Sequence, residues 1–387
     1  EIYQCDWSSD VCSSDLYART EYAGPGFSEK LRAHARGNVE NFLAFQLPDG
    51  YIPMMVANNI QGDGEESYLI RKHREGHILN MHKPFLCQQA MLVTGLEGAH
   101  EWLRPHLPKL EAYFACYDRY YRSEATGLYV WADDVMIGMD NDPAVFGRPR
   151  FSTASVFLNG FMVSEKRAMA GICQKLGDEA RAKHYGAAAD ALAEAIRREC
   201  WDERDGFFYS QDVDVKTRAY DWFHKGLGVF WHTLPIKVRA WTGFIPMLSG
   251  VATPAQAERI VREHILDENT FASPYGIRSL SRDEKMYNLE ATNNPSNWLG
   301  PIWLVVNYCV FRALMAYGYR AEAERLFDQT LNLLGEDLRA TGEMHEYYVP
   351  ETGAPVMSPG FLNWNMLALN MAQELEGSFP AFDFLKA

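Results

Sequence analysis

An acidic loop is the first stretch of the chain whose residue types could do chemistry. Residues 129–149 mix acidic side chains, glycines and prolines with aromatic residues, and neither a helical nor a strand period runs through them. Within this loop Asp140 lies between the flexible Gly138 and the turn that Pro143 ends. Loops of this kind present side chains into cavities. We therefore predict that Asp140 points into a pocket.

A second stretch of the same character lies about two hundred residues downstream. Residues 342–353 place Glu346 in a loop that begins and ends with glycine and also contains a proline. Cleavage of a glycosidic bond requires two carboxyl groups that flank the bond, one of them protonated and the other ionised. We predict that Asp140 and Glu346 face one another across one pocket.

The two carboxyl groups are expected to differ in acidity. Burial beside Trp131 and Met139 would raise the pKa of Asp140 and keep it protonated. Glu346 lies near His345 and other polar groups, which favour its charged form. Asp140 is therefore the predicted general acid and Glu346 the predicted general base.

Aromatic residues accumulate in or beside these loops, and flat apolar rings are a common platform for sugars. Core packing is the alternative for each ring taken singly. His82 and Lys83 lie at a predicted helix start, either lining the pocket or forming a solvated helix end. The rings are Trp222, Tyr287, Trp298, Trp303, Tyr347 and Trp364.

Other catalytic chemistries lack their motifs. His345 and Glu346 are not followed by a histidine at the spacing of a zinc protease, and the chain has neither a nucleophile elbow nor a phosphate-binding glycine loop. Asp140 and Asp142 imitate the start of a calcium loop, but Val145 occupies the position that requires glycine. Neither a metal ion nor a cofactor is predicted.

Composition limits the partners. The chain has 387 residues, 47% of them hydrophobic and 23% charged, and a net charge of −14, as in a globular protein with a sizeable core. Without a long basic block it is not expected to bind nucleic acid or an anionic membrane, and its apolar runs are too short to span a bilayer. The expected partner is a small carbohydrate. The oligomeric state stays open.

The first sixteen residues differ from the rest. Residues 6–16 read as the translation of a common sequencing-library adapter, and a disordered native tail is the alternative. We expect residues 1–16 to be non-native and poorly packed, with the true N-terminus missing, and residues 17–387 to form one catalytic domain. The remaining five cysteines follow no repeated spacing, which argues against a disulfide framework and indicates a reducing, cytoplasmic compartment.

Apolar periodicity and helix-end signals predict an all-α chain of helical hairpins with little strand. A closed toroid, with an inner ring of helices wrapped by an outer ring, and an open superhelical repeat both suit this pattern. The absence of a fixed repeat period favours the toroid, with long loops on one side. The predicted helices are residues 28–48, 82–93, 105–121, 152–176, 178–200, 227–231, 254–264, 303–317, 321–334 and 361–376, and residues 201–210 form a turn and short strand.

Several motifs resemble glycoside hydrolase family 63 and its relatives, which include processing α-glucosidase, mannosylglycerate and glucosylglycerate hydrolases and, more distantly, trehalases. GMDNDP is similar to the acid-bearing loop of that family, WLGPIWLVVN to its W-x-G-P-[IV]-W-x-x-x-N signature, and HEYYVPETG to the stretch that holds the base. LNGFMVSEKRAMAGICQKLG, WDERDGFFY and FLNWN extend the resemblance over roughly residues 29–376.

The resemblance implies an (α/α)6 toroid and an inverting hydrolysis of a small α-glucoside or α-mannoside, with Asp140 matching the acid and Glu346 the base. Inversion requires a separation of about 6.5–9.5 Å between the carboxyls. Leu299 stands where many members carry arginine, and Asp142 where serine is frequent, so the sugar and its aglycone stay open. The residues predicted to bind substrate are Lys83, Gln88, Trp131, Gly138, Asn141, Tyr287, Trp298, Gly300, Trp303, Tyr347 and Trp364, and the motifs carry Lys83, Trp298, Gly300 and Trp303 to pocket positions.

Two other functions compete with hydrolysis. A sugar epimerase or isomerase on the same toroid would use histidines as acid and base, whereas the histidines of this chain are scattered. A carbohydrate-binding relative without catalysis would keep the aromatic residues and tolerate changes at Asp140 and Glu346.

Overall fold

The computed structural model describes residues 27–54, 72–74, 76–78, 81–215, 232–290 and 296–377. The segment 1–16, the predicted helix at 227–231 and Trp222 lie outside these ranges. No helix in the described ranges combines the length and apolar character that crossing a membrane requires.

Helices are the main secondary structure. The described chain also contains short 3₁₀ and π turns. The 3₁₀ turns are Glu101–His106, Asp134–Ile137, Trp241–Phe244 and Trp364–Met366, and the π turn is Val261–Ile265. The α-helices are α1 Phe27–Ala44, α2 Leu86–Glu97, α3 Leu107–Tyr120, α4 Val156–Lys175, α5 Glu179–Cys200, α6 Ile245–Leu248, α7 Pro254–Ile260, α8 Leu304–Ala316, α9 Arg320–Thr341 and α10 Leu367–Leu375.

The strands are short and antiparallel. The hairpin β4–β5 confirms the turn and strand predicted at 201–210, whereas β8–β9 lies between the predicted helices 254–264 and 303–317, where no strand is predicted. The pairs are β1 Lys72–Arg74 with β2 His77–Ile78, β4 Trp201–Asp202 with β5 Phe207–Phe208, and β8 Ala272–Ser273 with β9 Gly276–Ile277; β3 Thr153–Ala154, β6 Gln211–Asp212 and β7 Leu234–Pro235 form a sheet in the order β3-β6-β7.

Burial separates inner from outer helices. In α4 every side chain from Val156 to Lys166 is buried, which places this helix in the centre of the molecule. The following helix, α5, instead buries one stripe at helical spacing that includes Tyr185, Leu192 and Ile196. A helix buried on all sides followed by an amphipathic one is the pattern of an inner helix covered by an outer one.

Inner helices pack side by side around the molecule. Helix α2 packs on α4, α4 on α6, α6 on α8, and α8 on α10. The outer helices cover their neighbours along the chain, because α1 packs on α2, α5 on α4 and α9 on α8. The described hairpins therefore build an inner and an outer layer, as the predicted toroid requires.

Local signals set several helix ends where the sequence predicts them. Thr253 and Gln256 exchange hydrogen bonds in a capping box that starts α7. Gly177 and Gly318, at left-handed φ angles of 75° and 81°, end the first helices of two hairpins. The prediction of α5 is confirmed to within one residue.

Long-range contacts move other ends. Helix α2 begins at Leu86 rather than His82. The residues before it pair with residues 52 and 53 instead, through the Pro53–Met81 bridge and a hydrogen bond of 2.9 Å from the His82 backbone N–H to the Ile52 carbonyl. Helix α4 begins after β3, and α10 begins after the turn Trp364–Met366, so both predicted starts are too early. Helix α9 continues to Thr341, beyond its predicted end.

Candidate active site

The acid loop presents Asp140 from a turn whose neighbours are anchored in the core. The turn Asp134–Ile137 ends at Gly138, whose φ of 78° is left-handed. Met139 is buried, and its sulfur accepts a hydrogen bond from Nε1 of Trp241 at 3.3 Å. Asp140 follows and is half-buried. The loop is therefore fixed by the residue before the predicted acid.

Asn141 fixes the loop on the other side of Asp140. Its Oδ1 accepts a hydrogen bond from the Trp298 backbone N–H at 2.7 Å, and its Nδ2 donates to Oδ1 of Asn297 at 3.3 Å. Asn297 is fully buried, and its carbonyl accepts from Nε1 of Trp303 at 2.9 Å. Residues 297–303, here called the bridging segment, therefore hold the acid loop.

The same bridging segment holds the base loop. Ile302 and Tyr348 form a β-bridge in which each backbone N–H donates to the other residue's carbonyl, at 2.9 and 3.0 Å. Glu346 lies two residues before Tyr348, and its backbone N–H donates to the Met357 carbonyl at 2.8 Å. Acid and base loops, distant in sequence, are thus attached to one short segment.

Helix α9 holds the base loop through the buried side chain of Asp337. Asp337, whose side chain is fully buried, accepts hydrogen bonds from the His345 backbone N–H, from Nδ1 of His345 and from the Tyr348 hydroxyl, at 3.1, 2.9 and 2.9 Å. Glu346 lies between these two residues. One buried carboxylate therefore fixes the backbone on both sides of the predicted base.

The pKa of Glu346 depends on its burial and on the other predicted catalytic group. Burial is the main cause that raises the pKa of Glu346 above its usual range, and the charge of Asp140 raises the pKa further. A hydrogen bond of 2.7 Å from the Ser358 hydroxyl to Oε2 of Glu346 opposes both effects. The charge of Asp140 therefore acts on Glu346, and the placement of the two carboxyls across one pocket stays a prediction. His345, which is expected from the sequence to favour the charged form of Glu346, is bonded through its Nδ1 to Asp337.

A row of aromatic rings lies along the bridging segment. The ring centroids of Trp298 and Trp303 are 4.0 Å apart at an interplanar angle of 3°, and those of Trp303 and Tyr347 are 4.7 Å apart at 29°. Trp241 stacks on Trp298 at 6.3 Å, and Trp364 meets Trp303 edge-on at 5.4 Å. Trp303 is fully buried among these rings. Core packing, the alternative for each ring, describes Trp303, and a sugar contact of these rings stays a prediction.

Trp131 carries an unused hydrogen-bond donor. Its side chain is buried near Phe157, and no partner of its Nε1 exists among the residues that the structure describes. A buried polar atom without a partner is costly unless a ligand or water satisfies it. Its predicted contact with substrate stays a prediction.

Lys83 and Gln88 lie at the start of α2, where both side chains are buried. Nζ of Lys83 donates to the sulfur of Met54 at 3.1 Å, and Nε2 of Gln88 donates to the Pro84 carbonyl at 2.6 Å. Gln88 also contacts the buried carboxylate of Glu165. These contacts place both residues in the inner layer, and their predicted contact with sugar stays a prediction.

Gly300 allows Tyr287 to pack against the bridging segment. At its φ of 140°, an added Cβ would lie 2.5 Å from Cε2 of Tyr287. The Tyr287 hydroxyl donates to Glu351 at 3.1 Å and accepts from Nε of the buried Arg278 at 3.2 Å. Glu351 and Arg278 form an ion pair at 3.1 Å. Tyr287 is thereby attached to both the bridging segment and the base loop.

Sequence reasoning missed several residues that support the site. Asn297, Asp337, Arg278 and Ser358 have ordinary side chains for their positions, and no local spacing connects them with Asp140 or Glu346. Their roles arise from hydrogen bonds between segments that are remote in sequence. Asn297 alone had a usable signal, because it directly precedes the W-x-G-P motif.

One described group could hold a metal ion, and it contains neither Asp140 nor Glu346. Asp49, His77 and Cys116 each place a ligand atom within 4.8 Å of the others. Nε2 of His77 already hydrogen-bonds to Asp49 at 2.7 Å, and its Nδ1 contacts the Tyr121 hydroxyl at 3.2 Å. These contacts satisfy the imidazole without an ion.

An inner layer of helices covered by an outer one, with carboxyl groups on loops beside a row of aromatic rings, is the arrangement expected of a toroidal glycoside hydrolase. The model of the mannosylglycerate hydrolase MGH1-like glycoside hydrolase domain matches residues 31–364. The chain belongs to this family, within the wider group of glycoside hydrolase family 63.

Relatives and solved structures agree with this assignment. The "Probable mannosyl-oligosaccharide glucosidase" of Schizosaccharomyces pombe is 24% identical over 96% of this chain and 48% of its own length, so the chain spans about half of that relative. The GH63 mannosylglycerate hydrolase of Thermus thermophilus in complex with glucose superposes with a TM-score of 0.67 at 21% identity, over 94% of this chain and 91% of that one.

A second structure extends the comparison to trehalases. The neutral trehalase Nth1 of Saccharomyces cerevisiae superposes with a TM-score of 0.61 at 14% identity, over 98% of this chain and 72% of that one. These similarities show the fold, and the predicted (α/α)6 toroid is confirmed.

Proposed function

We propose that this chain is an inverting α-glycosidase that hydrolyses a small α-mannoside or α-glucoside, with Asp140 as general acid and Glu346 as general base. The observation that carries the proposal is that the loops of Asp140 and Glu346 are both attached to the bridging segment, through Asn141 and through the Ile302–Tyr348 bridge. Two carboxyl groups that flank one pocket are the catalytic equipment for this reaction.

Each carboxyl group has a distinct task. Asp140 donates its proton to the glycosidic oxygen as the bond to the anomeric carbon breaks. Glu346 removes a proton from a water molecule that attacks the anomeric carbon from the opposite face. Because attack and departure take place on opposite faces, the configuration of the anomeric carbon inverts. We expect the two carboxyls to be about 6.5–9.5 Å apart in the substrate complex.

The family supports a small polar substrate. Family and structural relatives are named for mannosylglycerate, and the S. pombe relative for a mannosyl-oligosaccharide. Mannosylglycerate and glucosylglycerate are therefore the first candidates, with oligosaccharides next. Leu299 lies in the bridging segment where an arginine is frequent in the family, and an aliphatic residue there offers no cation to the carboxylate of a glycerate. Neutral glycosides are therefore candidates beside the two glycerates.

Residues 17–387 are proposed as one catalytic domain, since the family match spans 31–364. The five cysteines of the described ranges are buried and free, which supports a reducing, cytoplasmic compartment.

Histidine chemistry has less support than carboxylate chemistry. Nδ1 of His345 bonds to Asp337, Nε2 of His77 to Asp49, and Nε2 of His264 to the Asp205 carbonyl. Burial lowers the pKa of His82 to about 4, so this imidazole is neutral in the folded protein near neutral pH. None of these histidines offers the paired acid and base that an epimerase needs.

The test is a substrate panel of mannosylglycerate, glucosylglycerate, trehalose and the nitrophenyl α-glucoside and α-mannoside. We expect wild type to release sugar from at least one of them, and Asp140→Asn and Glu346→Gln to lower kcat by about 10²–10⁴-fold. Glu343→Gln is the matched control, because Glu343 is exposed in the same loop. Proton NMR of the first product should show the β-anomer.

Three outcomes would contradict the proposal. Full activity of either carboxyl variant would remove the assigned acid or base. A retained α-anomer would exclude inversion. Binding of the sugars by wild type without turnover would favour the carbohydrate-binding alternative.

A further inference from the structure

Ser358 adopts an uncommon backbone conformation next to the predicted base. Its φ is 50°, and in the described part of the chain Phe151 is the one other residue besides glycine with a positive φ. Left-handed φ angles are unfavourable for residues that have a Cβ. Pro359 follows, and a residue before proline favours extended conformations instead. Ser358 is exposed, so backbone hydrogen bonds on either side of it hold this conformation: the Glu346 N–H donates to the Met357 carbonyl at 2.8 Å and the Phe361 N–H to the Met344 carbonyl at 2.9 Å. Conformations of this kind concentrate at functional sites.

The backbone conformation places the Ser358 hydroxyl against Glu346. The Glu346 backbone N–H donates to the Met357 carbonyl at 2.8 Å, which brings the next residue, Ser358, beside the base loop. The Ser358 hydroxyl then donates to Oε2 of Glu346 at 2.7 Å. No described residue donates a hydrogen bond to the other carboxylate oxygen, Oε1 of Glu346. Only one of the two oxygens is thus fixed by the described part of the protein.

We propose that Ser358 is a positioning residue for the catalytic base: it binds Oε2 of Glu346 and leaves Oε1 as the oxygen that takes the proton from the attacking water. This inference rests on the proposed function. A hydrogen bond at one oxygen restricts rotation of the carboxylate, and catalytic rates are sensitive to the orientation of the reacting groups. The positive φ of Ser358 is then what brings its short hydroxyl side chain within hydrogen-bond distance of Glu346.

The hydrogen bond also favours the ionised form of the base. Burial and the charge of Asp140 raise the pKa of Glu346, and the Ser358 hydroxyl acts against them. The neighbouring residues in the chain make other contacts: His345 bonds to Asp337, and the ring of Tyr347 stacks on Trp303. Without the hydroxyl the pKa of Glu346 rises further, and the base is protonated over a wider range of acidic pH.

Three substitutions separate chemistry from folding. Ser358→Gly removes the hydroxyl and accepts the positive φ, so we expect unchanged or higher Tm. It should lower kcat/KM about 10- to 100-fold and move the acidic limb of the kcat/KM profile to higher pH. Ser358→Ala should show the same kinetic change. Ser358→Thr keeps a hydroxyl but is β-branched at positive φ, so its Tm should fall while its acidic limb stays near that of wild type.

The experiment measures kcat/KM from pH 4 to 8 (about one assay per half unit, bracketing the usual carboxyl range) and Tm for wild type and the three variants. Ser123→Ala is the control, a half-buried serine in the loop after α3. A wild-type profile for Ser358→Gly would overturn the role of Ser358 alone, since wild-type turnover and an inactive Glu346→Gln would still support hydrolysis. Absence of turnover by wild type on the whole panel would overturn the proposed function and this role together.

Discussion

Asp142 is a buried carboxyl two residues from the proposed acid, and its surroundings penalise charge. Burial raises its pKa to about 7, although hydrogen bonds from the backbone N–H groups of Ala144 and Val145 favour the ionised form. The Ala144 N–H donates to Oδ1 of Asp142 at 3.0 Å, which closes the turn after Asp140. An uncharged acceptor at this position would make the same turn, as the serine that is frequent in the family indicates.

Asp142→Asn should therefore stabilise the protein at neutral and alkaline pH. The folded state binds the Asp142 proton more tightly than the unfolded chain, so wild type loses stability as pH rises from about 4 to about 7, and the loss remains above that. The asparagine does not titrate. We expect equal Tm values near pH 4 and a higher Tm for the variant at pH 8, corresponding to about 2–4 kcal/mol. Differential scanning fluorimetry from about pH 4 to 8 measures both Tm values. A Tm difference between Asp142→Asn and wild type that is the same at every pH would contradict this prediction.

The base itself shows the same conflict on a smaller scale. Glu346 must be ionised to accept a proton, yet burial and Asp140 both oppose its charge. Active sites often retain such unfavourable charges because the chemistry requires them. The raised pKa of Glu346 should appear as the acidic limb of the kcat/KM profile, with activity lost as pH falls through it.

At the scale of elements, the loops obtain their order from helices and strand-like pairings beneath them. Asp337 lies in the last turns of α9. It accepts two hydrogen bonds from His345, before Glu346, and one from Tyr348, after it. The β-bridge between Ile302 and Tyr348 then connects the base loop to the start of α8. The length of α9 beyond its predicted end at residue 334 is what places Asp337 under the loop.

Asp337→Asn should loosen the base loop without unfolding α9. The variant cannot accept all three hydrogen bonds as a charged group does, and a buried charge-assisted bond contributes about 1.5–3 kcal/mol. We expect faster amide hydrogen exchange across residues 343–349 and a kcat about 10- to 100-fold lower. Asp328→Asn, an exposed position on the same helix, is the matched control. Unchanged exchange in Asp337→Asn would show that the β-bridge suffices to order the loop.

Asn141 performs the corresponding task for the acid loop. Its amide bonds to the Trp298 backbone and to Asn297, so Asn141→Ala should release Asp140 from the bridging segment. We expect kcat to fall about tenfold or more and Tm to fall by an amount corresponding to about 1–3 kcal/mol. Kinetics and thermal melts of Asn141→Ala and of Asn269→Ala, an exposed control, check this. Wild-type kinetics with a lowered Tm would make Asn141 purely structural.

At the scale of the whole molecule, one buried carboxylate joins adjacent inner helices. Glu165 of α4 accepts the backbone N–H groups of Cys87 and Gln88 at 2.6 and 3.1 Å, which are first-turn donors of α2. The residue before that helix provides no side-chain cap. Burial raises the pKa of Glu165 to about 7 against these hydrogen bonds. The carboxyl of one hairpin therefore caps the inner helix of another.

Glu165→Ala should destabilise the entire ring. Two buried N–H groups would lose their acceptor and a cavity would form, at a combined cost of about 3 kcal/mol or more. We expect a lower urea midpoint in one cooperative transition, because α2 and α4 pack together. Glu336→Ala, exposed on α9, should change stability by less than about 0.5 kcal/mol. A separate early transition followed by CD would indicate that the hairpins unfold independently.

Helix boundaries illustrate how far local signals reach. The start and end of α5 follow from Asp178, which accepts the Arg181 N–H, and from an alanine-rich amphipathic run. The start of α2 does not, because the bond between His82 and Ile52 joins residues whose proximity no local pattern encodes. Local signals therefore predict where a hairpin forms better than they predict the residues at which the helices beside the site begin.

The sequence by itself determined the class of architecture and singled out Asp140 and Glu346 as the proposed catalytic pair. Apolar period, caps and breaking glycines are local, and a loop rich in acid, glycine and proline can be found without knowing what faces it. Only the tertiary structure decided how these parts act together. It attached both loops to residues 297–303, turned His345 toward Asp337, and gave Glu346 the Ser358 hydroxyl. Hydrogen bonds and charge interactions depend on distance in space, and chain folding sets that distance.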